Sequence, residues 1–212
     1  MLLQHMIRTA ALLGLFAIVG TGLVALTFEK TKAPIADSQR NALLNSLHQL
    51  IPETLHDNDI YNDFIIVNDP LLGAKQSHRV FRARKDSQPV AIVLEAVAPD
   101  GYKGNIFLLI AINNQGTLLG VRVVSHTETP GLGDPIEIER SDWITKFNGR
   151  SLKQPDTSGW QVKKDGGDFD QFTGATITPR AIVKAVHKSL QYFQANQEIL
   201  FSRQVKENTD VK

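Results

Sequence analysis

Between Thr9 and Phe28 the chain carries no charged residue. At about 1.5 Å of rise per residue, such a run makes a helix of roughly 30 Å, the depth of bilayer hydrocarbon. The rest of the chain must therefore fold beside a membrane, or be released from this segment by cleavage. Arg8 ahead of an apolar run also fits a signal peptide. Against that, the run closes with Leu23-Val24-Ala25-Leu26-Thr27-Phe28, without a small-x-small site, and is longer than a usual signal-peptide core. An uncleaved single-pass anchor is the expectation. Arg8 and the α-amino group flank one end, Lys30 and Lys32 the other, so counting positive charges leaves the orientation open.

The remainder can bury a core: 42% of the 212 residues are apolar and 21% charged, enough for one domain with an appendage. A net charge of +1, with Lys and Arg scattered rather than striped, argues against a nucleic-acid partner. Cysteine is absent, which excludes thiolate-bound iron-sulfur clusters, cysteine zinc sites and disulfides. Redox chemistry would need a borrowed cofactor.

Thr31 to Ala36, with Pro34, reads as a linker. Asp37 or Ser38 can then cap a helix whose apolar positions Leu43, Leu44, Leu47, Leu50 and Ile51 keep the 3.6-residue period up to Pro52. Such a stripe is read as core rather than partner contact. β-like runs come next at Phe64 to Val67, Arg79 to Ala83, Val90 to Val97, Ile106 to Ile112 and Leu118 to Val124, the last two flanking a hairpin loop, Asn113-Asn114-Gln115-Gly116. Ser141 to Phe147 suggests a short helix and Trp160 to Val162 a short strand. A final helix is expected with Thr178 as N-cap, Pro179 as its first residue, and Ile182, Val183, Val186, Leu190 and Phe193 on one face. These elements imply an α+β fold: one transmembrane helix, then a domain with a central antiparallel sheet and flanking helices.

Directly before the last helix stands Asp170-Gln171-Phe172-Thr173-Gly174-Ala175-Thr176. A helix N-terminus offers unpaired N–H groups and the positive end of the macrodipole, so an anion such as a phosphate is favoured there. On spacing alone, the segment reads rather as an ordinary polar turn with a threonine cap. A threonine hydroxyl is a weak nucleophile and no self-sufficient base stands near it, so an ester at Thr176 would require an external enzyme. His126, Glu128 and Asp134 fit no standard metal spacing. Asp165, Asp168 and Asp170 lack the spacing and terminal glutamate of a calcium loop, and are read as solvated carboxylates. No metal site and no catalytic triad or nucleotide loop is expected, hence no independent substrate chemistry.

The run Asp170 to Thr176 matches the D-x-x-[ST]-G-A-T signature of covalent flavinylation. With Gly167-Asp168-Phe169, Ile177-Thr178-Pro179-Arg180, Gly101-Tyr102-x-Gly104 and the loop His126 to Gly133, the chain resembles the family of the G subunit of the Rnf (Rsx) electron transport complex. The related C subunit of the sodium-translocating NADH:quinone oxidoreductase shares the Gly101 segment, the His126 loop and the threonine motif. The resemblance implies FMN joined through its phosphate to Thr176 by a magnesium-dependent flavin transferase that uses FAD. Thr173, Gly174, Ala175 and Thr178 would belong to the attachment site, and Glu128, Thr129 and Leu132 would contact the isoalloxazine. It further implies an inner-membrane protein working with the other Rnf/Rsx subunits, which pass electrons between ferredoxin and NAD and move an ion. Residues 1–8 would be cytoplasmic, 9–28 transmembrane, 29–98 the periplasmic N-terminal helix and strands, 99–200 the FMN-binding domain and 201–212 a tail. The rival reading is a membrane-tethered scaffold or binding module without a covalent cofactor.

Overall fold

The computed structural model describes residues 1–73 and 76–202, so the expected tail beyond Ser202 lies outside the described residues. Two units are distinguished, one ending at Leu44 and one beginning at Asn45.

From Leu2 on, the first unit is helical and belongs to α1, which spans Leu2–Leu50. It includes an 18-residue window of mean hydropathy 2.2, none of it buried, so α1 is long and apolar enough to cross a membrane and this stretch packs into no core. The hydroxyls of Thr27 and Thr31 donate back to the carbonyls of Leu23 and Thr27, both at 2.8 Å, so neither polar group needs water. The expected linker at Thr31 to Ala36 does not form: α1 continues through Pro34, and Asp37 and Ser38 lie inside it rather than capping a new helix. Proline removes a single backbone donor, and its neighbours include no glycine or second breaker that would end the helix.

In the second unit a five-stranded antiparallel meander runs β1 (Phe64–Val67), β2 (His78–Lys85), β3 (Gln88–Ala98), β4 (Ile106–Asn113) and β5 (Leu118–Ser125), in spatial order β1-β2-β3-β4-β5. The α+β expectation is met. The β2–β3 hairpin turns on Asp86 and Ser87, whose φ values of 51° and 62° give the twist that a two-residue hairpin requires. The β4–β5 turn is the one expected: Asn113 Oδ1 accepts the amides of Gln115 and Thr117, each at 2.9 Å.

β3 and β4 read as nearly unbroken apolar runs because both faces of the sheet are covered. On one face Ile92, Leu94, Leu108, Ile110 and Ile112 pack with Ile182, Val186, Leu190 and Phe193 of α2, the helix spanning Ile177–Phe201. The other face carries Phe81, Val93, Leu109 and Ala111, also buried. There the last turn of α1 reaches β5: Arg122 Nε donates to Gln49 Oε1 at 3.1 Å, and Leu50 occupies the space a side chain on Gly120 would need. Leu47, Leu50 and Ile51 are core, as the stripe implied.

The C-terminal end of α2 is held by charge. Arg82, almost fully buried, donates to Asp63 at 2.7 Å and to the Ser202 carbonyl at 2.9 Å, while Arg84 Nε donates to the other Asp63 oxygen at 3.1 Å. Cations at this end also complement the helix macrodipole.

Between β5 and α2 regular structure is scarce. Ser141 to Phe147 is not an α-helix but a 3₁₀ turn at Trp143–Phe147. Trp160 to Val162 forms no strand; Val162 makes one isolated parallel bridge to Phe169. Ring packing replaces hydrogen-bond ladders here. Phe147 stacks on Phe169 at 4.7 Å between centroids and meets Trp143 edge-on at 5.5 Å, and Trp160 lies parallel to His187 at 5.3 Å.

Two outcomes are expected. Asp63→Ala leaves Arg82 buried without its anion and should lower unfolding stability by roughly 3 kcal/mol in a denaturant titration. Burial holds the His187 imidazole below its ordinary value of 6.5. The unfolded chain therefore takes up a proton that the folded chain resists, and stability falls as pH drops below that value. His187→Gln should lose less stability between about pH 7 and pH 5 than the unsubstituted chain.

Candidate functional site

Three segments meet at the start of α2 and enclose a cleft of about 360 Å³. The loop after β3 supplies Tyr102 and Lys103, the loop after β5 supplies Glu128, Thr129, Leu132 and Gly133, and the segment entering α2 supplies Gly174 to Thr178. That volume lies within the roughly 300 to 1,000 Å³ of small-molecule sites.

The segment entering α2 is set from below. Trp143 Nε1 donates to the Asp170 carbonyl at 2.7 Å, and Phe172 meets the Trp143 ring edge-on at 5.2 Å. Phe172 and Ala175 then bridge to each other around a tight turn, in which Gly174 takes φ of 80°, a conformation that side-chain-bearing residues rarely adopt. The flanking acidic residues are each paired: Asp165 with Arg180, Asp168 with Arg150 and Asp170 with Lys163. The Arg180 hydrogen bond holds the Asp165 carboxyl below its usual range.

α2 does not start as its sequence suggested. Thr178 is not the cap; the helix begins at Ile177, with Thr176 at the cap position and no side-chain capping bond. Thr178 is fully buried, and its hydroxyl donates to the Glu128 carboxylate rather than to the backbone. A buried acceptor has thus won over local capping. The consequence falls on Thr176. Its half-buried hydroxyl has no hydrogen-bond partner among the described residues, and the amides of Thr176, Ile177 and Thr178 donate to no backbone carbonyl. A free hydroxyl beside free amides at the positive end of a 25-residue helix is an anion cradle.

The wall opposite is the Thr129–Gly133 turn, closed by Leu132 and Gly133 amides donating to the Thr129 carbonyl at 3.1 and 2.9 Å. Asp134 accepts the Gly131 amide at 2.7 Å. His126 accepts the Glu128 amide on Nδ1, so its proton sits on Nε2 and is given to Glu137 at 2.7 Å. His126, Glu128 and Asp134 are thus engaged in holding the loop together.

Of the residues singled out from sequence, the structure brings Thr176, Gly174, Ala175, Thr178, Glu128, Thr129 and Leu132 onto one cleft; Thr173 is exposed and does not line it. Lys103 and Ile177 were not anticipated. Ile177 left a trace, being apolar but on the opposite side of α2 from its buried stripe. Leu132, Ile177 and Tyr102 are 47%, 44% and 64% exposed, an apolar rim around a polar floor. A planar apolar ring system with a phosphate tail suits this arrangement, the tail at the helix start and the ring between these side chains.

Fold and cleft together define an FMN-binding domain, and the family model of that description matches residues 101–191. A second model, described as the RnfG N-terminal region, matches residues 1–50. The G subunit of the ion-translocating oxidoreductase complex of Shewanella oneidensis is 52% identical over 199 residues, covering 93% of this chain and 94% of the relative. Its counterpart of the same description from Pseudomonas aeruginosa is 52% identical over 200 residues, covering 94% of each chain. That from Vibrio cholerae is 46% identical over 196 residues, covering 92% and 94%. The chain belongs to the RnfG family, the G subunits of ion-translocating oxidoreductase complexes.

Trp143→Phe keeps an aromatic ring, smaller than the indole, but removes the N–H that the Asp170 carbonyl accepts. It should lower stability by about 1 to 3 kcal/mol in urea unfolding. Amide exchange should quicken first in the segment from Asp170 to Ala175.

Proposed function

We propose that this chain carries FMN in a phosphoester to Thr176 and relays electrons inside a membrane-bound ion-translocating redox complex of the ferredoxin and NAD type. The observation that carries the reading is the Thr176 hydroxyl, which has no partner among the described residues and lines the cleft beside amides equally unpaired among them at the N-terminus of α2. Family membership supports the setting: the relatives are named as subunits of an ion-translocating oxidoreductase complex.

In this reading a flavin transferase joins the Thr176 oxygen to the FMN phosphorus of FAD, AMP leaves, and the hydroxyl proton passes to the transferase. The amides of Thr176 to Thr178 and the helix macrodipole would hold the phosphodiester's negative charge. Leu132, Ile177 and Tyr102 would give the ring its apolar contacts, and Lys103 brings a positive charge to the cleft. When bound, FMN supplies one-electron redox chemistry that no side chain of this cysteine-free chain offers. α1 anchors the domain, with the N-terminus in the cytoplasm and the flavin domain in the periplasm, beside the other Rnf/Rsx subunits.

Whole-protein mass tests the attachment. Co-produced with a flavin transferase, the chain should be heavier by one FMN less water, and Thr176→Val should fold but stay at the polypeptide mass, colourless and dark in a denaturing gel under ultraviolet light. An unmodified mass for the unsubstituted chain would favour a membrane-tethered scaffold, and a fluorescent Thr176→Val band would move the attachment elsewhere.

A further inference from the structure

We infer that Glu128 is a positioning residue of the flavin site, one that locks the three cleft-forming segments together and sets a fixed negative charge against the bound ring. The inference rests on the flavin reading proposed above.

Glu128 is only 4% exposed, and no Lys, Arg or His nitrogen pairs with it among the described residues. Its compensation comes from neutral donors. One carboxylate oxygen accepts the Lys103 amide at 2.9 Å; the other accepts the Tyr102 amide at 3.3 Å and the Thr178 hydroxyl. The two amides can only donate, and the Thr178 hydroxyl is placed to do the same. These donors belong to the loop after β3 and to the first turn of α2, while Glu128 itself sits in the loop after β5. The segments joined at this one group are those whose other residues form the cleft walls.

The joint is closed sterically as well. A Cβ on Gly133 would lie 2.9 Å from Glu128 Cβ and 3.2 Å from the Thr178 hydroxyl oxygen, and one on Gly101 would lie 3.1 Å from a Glu128 carboxylate oxygen. Glycine at both positions is what lets the loops close this tightly around the carboxylate. Thr178 also reaches Glu128 with its side chain, not its amide, so the contact leaves the helix amides free for a phosphate. The carboxylate holds the walls without competing for the anion cradle.

A negative charge held on a buried side chain at the floor of the cleft would disfavour adding an electron to a ring bound there. Glu128 therefore lowers the flavin's midpoint potential, and the Thr178 hydrogen bond, by dispersing the charge, partly offsets that effect.

The test compares the unsubstituted full-length chain, Glu128→Gln and Thr178→Val, each co-produced with a flavin transferase, checked by mass for FMN and titrated for midpoint potential at about pH 8, above the ordinary carboxylate range. Glu128→Gln removes the charge and should move the potential positive. Thr178→Val keeps the charge but removes a hydrogen bond to it, and should move the potential negative. In flavin-free protein, Glu128→Gln should also speed amide exchange at Tyr102 and Lys103. Unchanged potentials, or shifts of the same sign in both variants, overturn the proposal, since a purely structural disturbance has no reason to reverse sign. Should Glu128→Gln fail to fold, the sign of the Thr178→Val shift decides alone. An unsubstituted chain without FMN removes the flavin reading and this inference together.

Discussion

The hydrogen bond from Thr178 to Glu128 is the contact on which the arrangement of this domain turns. It is buried, it joins residues 50 positions apart, and it fixes the first turn of a 25-residue helix to two loops at once. At the far end of the same helix, Arg82 and Arg84 grip the carbonyls of Phe201 and Ser202 while sharing Asp63. α2 is thus pinned at both ends across a sheet it covers with its apolar stripe. Its N-terminus can then hold a ligand without being pulled out of place.

The sheet supplies rigidity and the loops supply the site, a division common among binding proteins. The long stretch between β5 and α2 has little repetitive hydrogen bonding, yet it is not loose. Trp143, Phe147, Trp160, Phe169 and Phe172 make a connected set of ring contacts beneath the segment that carries Thr176. The backbone rests on this aromatic floor, with the Trp143 indole donating to Asp170. Irregular backbone is stable here because buried side chains, rather than neighbouring strands, define where it lies.

The strands and the β4–β5 turn could be read from sequence because β-branched runs and an Asn-to-Gly turn act over a few neighbours. The β2–β3 turn could not: Asp86 and Ser87 are not a strong turn pair, and their positive φ values follow from pairing Lys85 with Gln88. Pro34 suggested a break, because proline removes a donor, but one missing bond does not end a helix with good formers on either side. Thr178 suggested a cap, as threonine before an apolar stripe usually does. Its actual role depends on Glu128, which no local pattern connects to it.

What the sequence by itself determined was set by short-range physics: an uncharged run long enough for a bilayer, alternation and turns enough for an antiparallel sheet, and a glycine-bearing polar segment before an amphipathic helix. The resemblance of that segment to a flavinylation signature singled out Thr176. Only the tertiary structure decided which threonine stays free and which is buried, because that depends on a carboxylate delivered from another loop. It alone also brought Tyr102, Lys103, Leu132 and Ile177 to one cleft. Residues so far apart in the chain meet through the sheet's register and the packing of α2, neither of which leaves a mark on any one stretch of sequence.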